Sequence, residues 1–166
     1  DQEVERLSRL ISDLLDASRL EAGVVAPKFI RTSLEEVIGS ALETIDTRGR
    51  ELTFELSEEI PDIDTDPILL ERVIANVVAN ACRFAPPSTE VTLRAEQRVD
   101  GLLLYVIDHG PGVHELGRSH LVKPFQRGDD SSSGVGLGLS VAHGFIELLG
   151  GSLEFQTTAG GGLTVL

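Results

Sequence analysis

The chain opens on a long apolar–polar pattern of helical period. Val4, Leu7, Ile11, Leu14 and Ser18 follow a three-and-four spacing, and Leu10, Leu15 and Ala17 widen the stripe. The pattern predicts a helix from Asp1 to Glu21, roughly 30 Å long at about 1.5 Å per residue. So wide a stripe needs something to cover it, either its own domain or a partner outside itself. Gly23 and Pro27 bound a short linker. Thr32 or Ser33 caps a second helix, with Glu35 or Glu36 in capping-box position and Leu34, Val37, Ile38, Ala41, Leu42 and Ile45 on its core face. Glu51 to Leu56 alternates as a strand does. Asp66 as cap and Pro67 at the first position start a third helix, whose stripe is Leu69, Leu70, Val73, Ile74, Val77, Val78 and Ala81. Strands follow over Val91–Gln97 and Leu102–Ile107, with Asp100-Gly101 as the hairpin turn. Glu115 to Val122 reads as a short helix. The last helix, Leu137 to Leu149, ends at Gly150-Gly151, and Ser152–Thr158 with Leu163–Leu166 form a terminal hairpin. The chain stops inside that β pattern, so its final strand is expected to be cut short. Helices with adjacent antiparallel strands predict an α+β fold, a two-layer α/β sandwich with helices on one sheet face.

Two of these elements carry unusual polar residues. Asn76 and Asn80 stand one turn apart on the third helix, beside its core stripe. Asn competes for the backbone and is a poor helix-interior residue, so the pair either faces solvent or faces a ligand or metal. Asp108-His109-Gly110-Pro111-Gly112 follows the second hairpin strand, where a carboxylate can read a base edge. Gly134-Val135-Gly136-Leu137-Gly138-Leu139 opens the last helix. Backbone N–H groups at such a start are unpaired and sit at the positive end of the helix dipole, which suits phosphates. Taken singly, each glycine cluster could be an ordinary turn. Together they predict a nucleotide site.

The chain has 166 residues, 41% of them hydrophobic, enough for one domain plus an extra element. A formal net charge of −13 argues against a nucleic-acid surface. It also demands local means of holding a polyanion: a divalent cation, helix-terminal amides and a few placed cations. Lys28 and Lys123 are the only lysines, and neither follows a glycine loop, so the chain has no Walker A phosphate loop. The second glycine cluster also misses the dinucleotide spacing. No apolar run is long enough to span a membrane and no secretory signal is visible. The single cysteine, Cys82, excludes an internal disulfide, agrees with a reducing compartment, and reads as a small buried side chain.

Asn76 to Phe84, Asp108 to Gly112, Lys123 to Gly128 and Gly134 to Leu139, in this order, resemble the N box, first glycine box, F box and second glycine box of the ATP-binding domain of sensor histidine kinases, within the gyrase, Hsp90, histidine kinase and MutL superfamily. Leu14 to Gly23 resembles the end of the dimerisation helix that precedes such domains. The overall phrasing is most similar to potassium-responsive Kdp-type sensors. The resemblance covers essentially the whole chain. It implies a Bergerat-type ATP-binding fold over 24–166, and over 1–23 the second helix of a dimeric four-helix bundle. The phospho-accepting His of this family lies on the other bundle helix. None of His109, His114, His120 and His143 lies on the first helix, so the chain reads as a fragment.

The resemblance also implies roles. Asn80 is the Mg²⁺ ligand, its amide oxygen a hard donor, and Asn76 faces the same phosphates. Arg83 stands where Lys is usual and adds a planar fork; Phe84 replaces a common Tyr near the adenine. Asp108 accepts from the adenine amine, and Gly110 and Gly112 let the backbone approach the base. Gly134, Gly136 and Gly138 hinge a lid over 127–134, with the N–H groups around Leu137 and Leu139 facing the phosphates. Val135 replaces a commoner Thr or Ser. Phe125 anchors the lid, Lys123 and Arg127 add phosphate charge, and Thr164 completes the adenine pocket through a water. ATP and Mg²⁺ are the implied cofactors. The implied partners are a response regulator and a second copy of the chain, with no nucleic acid and no membrane contact by this fragment. The implied location is the cytoplasmic part of a membrane-bound sensor. Hydrolytic members of the superfamily place a Glu four residues before the metal Asn; here that residue is Asn76, and Glu71 is on the wrong side of the helix. That disfavours an ATP-driven conformational clamp. The intact Asn, Asp and Gly positions disfavour a degenerate scaffold that binds no nucleotide.

Overall fold

A computed structural model describes residues 2–57, 60–123 and 137–165. The first helix, α1 (Gln2–Glu21), is followed by a short strand β1 (Ile30–Thr32) and by α2 (Leu34–Glu43). Next come β2 (Leu52–Leu56), β3 (Ile63–Thr65) and the long α3 (Pro67–Phe84). A hairpin of β4 (Val91–Arg98) and β5 (Gly101–Ile107) leads to α4 (Glu115–Leu121). The chain ends in α5 (Gly138–Leu148), β6 (Phe155–Thr157) and β7 (Leu163–Val165).

The main sheet has five strands in the order β2-β4-β5-β7-β6. Among the described strands only the β2–β4 pair is parallel, and α3 lies in the connection between them. The inward row of β4, Val91, Leu93 and Ala95, is buried with Val106 of β5 and Leu163 and Val165 of β7. Against it pack Val37, Ile38 and Ala41 of α2, Val73, Ile74, Val77 and Val78 of α3, and Val141, Ala142 and Phe145 of α5. This is the two-layer α/β sandwich that the pattern predicts. Cys82 is fully buried in it, and burial pushes its thiol pKa up.

The helix starts follow the sequence closely. Ser33 caps α2, its Oγ accepting from the Glu36 N–H at 3.5 Å. Asp66 caps α3 through Oδ1, which accepts from Ile68 (3.0 Å) and Leu69 (3.2 Å). The end of α5 is a Schellman turn: Gly151 N–H donates to Ile146 C=O and Gly150 N–H to Glu147 C=O.

Three details differ from the sequence reading. Ile30–Thr32 and Ile63–Thr65 pair as a separate antiparallel sheet, three residues a side, too short for periodicity to reveal. The β4–β5 turn is Val99-Asp100, because Arg98 pairs with Gly101 and neither turn residue takes positive φ. Ile45 lies beyond α2, which ends at Glu43, yet still packs on the core.

On α1, Ala17 and Leu20 reach the core, and Leu20 lies against Gly144 of α5. The Arg72 guanidinium of α3 ties the same helix down, pairing with Asp16 and donating to Ser12 (3.0 Å) and Asp13 (3.5 Å). Burial raises the Asp13 pKa more than Arg72 lowers it. Val4, Leu7, Ile11 and Leu14, the predicted stripe, stay more than half exposed. No helix among the described residues is long and apolar enough to cross a membrane.

Candidate functional site

The C-terminal half of α3 forms one wall. Asn76 and Asn80 are half-buried, between buried Ala75, Val77, Val78 and Ala81. A Cβ at Gly138 would lie 3.4 Å from Asn76 Oδ1, so the Asn helix meets the start of α5. Asn76 Nδ2 is buried with no hydrogen-bond partner among the described residues. A buried, unpaired amide donor is costly, and its presence here marks a place for an acceptor that the described residues do not supply.

The start of α5 forms the second wall. Leu137 is its buried N-cap residue, in αR conformation and without a side-chain capping bond. Its carbonyl accepts from Val141 N–H (2.9 Å) and Ser140 Oγ (2.8 Å), but it offers the first N–H groups no acceptor. Leu139 is buried in the core, so what it and Leu137 can offer a ligand is backbone.

The loop after β5 forms the floor. Asp108 is 3% exposed. Gly110 N–H (2.8 Å) and Leu163 N–H (3.2 Å) both donate to its Oδ1, and Oδ2 takes neither. Burial raises its pKa, against the lowering by these two bonds and by His109. A Cβ on Gly110 would stand 2.7 Å from the Phe84 carbonyl oxygen, and Gly112 lies against the Gly162 carbonyl. The glycine box therefore touches the end of α3 directly. Phe84 is 40% exposed there, and the Arg83 guanidinium lies 5.1 Å from its ring centroid.

The structure thus brings Asn76, Asn80, Arg83, Phe84, Asp108, Gly110, Gly112, Leu137, Gly138 and Leu139 to adjoining segments. Lys123 is exposed just beyond α4, its N–H donating to the His120 carbonyl at 3.2 Å. Phe125, Arg127, Gly134 and Gly136, with the stretch 127–134 read as a lid, lie outside the described residues. Thr164 requires a correction. It pairs with Ile107, whereas Val165 pairs with the core residue Val106, so Thr164 is on the other face of the sheet. Its hydroxyl is 3.0 Å from that of Thr158. The neighbour that reaches Asp108 is Leu163, through its backbone.

Gly162 was not singled out in the sequence. Its φ is +116°, and a Cβ would overlap the Asp108 carbonyl oxygen. The signal was present as Gly160-Gly161-Gly162 before the last strand. Among the described residues, no group of three or more His, Cys, Asp or Glu could hold a metal ion.

The model of the family described as histidine kinase-, DNA gyrase B- and HSP90-like ATPases matches residues 65–166. The chain is 41% identical, over its whole length, to the sensor protein KdpD of Mycobacterium tuberculosis H37Rv, of which the match covers 20%. It spans about a fifth of the length of such KdpD relatives. Among solved structures, full-length ShkA in complex with AMPPNP superposes with a TM-score of 0.85 at 25% identity, covering 99% of this chain and 35% of that one. The Acinetobacter baumannii histidine kinase AdeS superposes at 0.78 with 23% identity, covering 99% and 79%.

Proposed function

Because the chain belongs to the family of histidine kinase-, DNA gyrase B- and HSP90-like ATPases, we propose that it is the ATP-binding catalytic module of a two-component sensor histidine kinase. One observation carries the reading: the unpaired Asn76 amide, the uncapped start of α5 and the buried Asp108 carboxylate lie on adjoining segments. Among the described residues Asn76 Nδ2 has no partner, α5 has no side-chain cap, and Asp108 Oδ2 takes neither of the two bonds made to that carboxylate; a part of ATP would complete each. The likeness to ShkA, whose structure is a complex with AMPPNP, supports the same ligand.

Asp108 Oδ2 accepts from the exocyclic amine of adenine. Guanine presents a carbonyl at that place and would meet a carboxylate, so the residue confers choice of base. Phe84 offers an apolar face beside the base, and Arg83 and the N–H groups of Gly138 and Leu139 offer positive potential to the phosphates. Mg²⁺, with Asn80 as its protein ligand, would screen the charge of the phosphates. The site offers little to activate water, since Asn76 occupies the position of a general base. That supports a site holding ATP until a protein nucleophile arrives, with catalysis by positioning and charge stabilisation. The acceptor is a His on the partner helix of α1, and an Asp of a response regulator receives the group next.

The remaining readings belong to the same proposal. Residues 1–23 are the dimerisation helix and 24–166 the nucleotide module. The exposed stripe of α1 is the surface that a second copy covers in the longer protein. The Kdp-like phrasing supports a potassium-responsive parent, with this part on the cytoplasmic side of its membrane.

Calorimetry with an ATP analogue and Mg²⁺ tests the reading, alongside a longer chain that includes the acceptor helix. Binding by the wild type, weakened in Asp108→Asn and Asn80→Ala, with acid-labile phosphorylation of the longer chain, is the expected result. No binding of ATP or ADP would favour the scaffold. Hydrolysis at ordinary enzyme rates, removed by Asn80→Ala, would favour the clamp.

A further inference from the structure

We propose that Arg50 is a positioning residue for the base end of the nucleotide site, a role that rests on the ATP reading above. Arg50 closes the connection between α2 and β2. That connection is held in a fixed shape: Asp46 Oδ1 accepts from Arg48 N–H at 2.8 Å, and the Thr47 carbonyl accepts from Arg50 N–H at 3.0 Å. Arg48 (φ +55°) and Gly49 (φ +71°) follow one another in left-handed conformation, and Arg48 is the only non-glycine with positive φ among the described residues. Such a conformation persists only where surrounding contacts enforce it.

From there the guanidinium of Arg50 reaches the C-terminal end of α3. Nε (3.1 Å) and Nη2 (2.7 Å) both donate to the Ala85 carbonyl, while Nη1 donates to the Arg48 carbonyl at 3.2 Å. Ala85 is the buried C-cap of α3, where carbonyls lack helical partners and the dipole is negative. One residue back, the Phe84 carbonyl presses against Gly110, and Gly110 N–H holds Asp108 Oδ1. Arg50 thus fixes Ala85, Ala85 fixes Phe84, and Phe84 sets the height of the loop that carries the base-reading carboxylate. Arg50 itself touches no nucleotide. A lysine would keep the charge at the helix end but lose the two-pronged grip.

The test compares ATP with inosine triphosphate, which lacks the 6-amino group, on wild type, Arg50→Ala and Arg50→Lys. The readout is the ratio of the two dissociation constants, measured with Mg²⁺ well below each variant's unfolding midpoint. A merely structural loss scales both constants by the folded fraction and leaves the ratio alone. Positioning predicts that Arg50→Ala weakens ATP by roughly five- to tenfold and inosine triphosphate by less than about twofold, so that selectivity falls, with Arg50→Lys intermediate. A ratio unchanged from wild type in the folded variants overturns the assignment; should Arg50→Ala not fold, Arg50→Lys decides alone. A wild type that binds neither nucleotide overturns the ATP reading itself.

Discussion

The two helices that meet at the site begin in opposite ways. Asp66 closes α3: its carboxylate takes the Ile68 and Leu69 N–H groups on Oδ1 and the Lys28 N–H (2.8 Å) on Oδ2, and Pro67 removes another donor. Leu137 begins α5 with an apolar side chain turned into the core and no side-chain capping bond. One start is completed by its own sequence and serves stability. The other has no side-chain cap among the described residues, and it lies against Asn76, whose amide Nδ2 has no partner among them either. Where a chain declines an inexpensive local hydrogen bond beside a buried unpaired group, the lost stability points to binding.

Substitutions at the two ends should separate these roles. The largest effect is expected from Asn80→Ala, which should weaken Mg-ATP analogue binding by about a hundredfold in calorimetry while the unfolding midpoint moves little. Asp66→Ala should do the reverse: about 1–2 kcal/mol lost in urea unfolding, with nucleotide affinity held within about twofold. An equal loss of affinity in both variants would show that the capped start of α3 and its Asn-bearing half do not differ in role.

Asp108→Asn should weaken ATP by about tenfold, since an amide cannot serve the adenine amine as a carboxylate does. Its pH dependence has a definite sign. The folded-state pKa of Asp108 is raised by burial, so the favourable contribution of the protonated form is fully present below the unfolded value and lost as pH rises through the folded value. Asp108→Asn should therefore gain stability relative to wild type on going from acid to neutral pH, read as the difference between two melting curves. A gain in the acid direction would contradict the burial of an ionised carboxylate. Gly138→Ala is expected to have the smallest effect. Its Cβ would make an ordinary contact with Asn76 Oδ1, and it should stabilise by up to about 1 kcal/mol in thermal unfolding while leaving affinity within a few-fold.

Much of this was legible in the chain. Asp66-Pro67 announced the start of α3, because a cap and a fixed φ act within three residues. The stripes of α2 and α3 announced their core faces, because a helix repeats every 3.6 residues. The Asn pair stood out because its residue type is wrong for a helix interior. The short strands β1 and β3 escaped, since three residues hold too little periodicity to read. The face of Thr164 escaped because strand register flips every residue and is set by the partner strand. Gly162 escaped because its need for glycine comes from the Asp108 backbone, 54 positions away in the chain.

The sequence by itself determined the longer elements, the inward faces of α2 and α3 and the polar residues that stand out on them, all of which follow from neighbours within a turn or two. Only the tertiary structure decided which polar groups would be left without partners, and that Arg50, from a loop between α2 and β2, would grip the end of α3. Burial and hydrogen-bond completion depend on atoms that approach through space, and no local pattern records which distant backbone will arrive there.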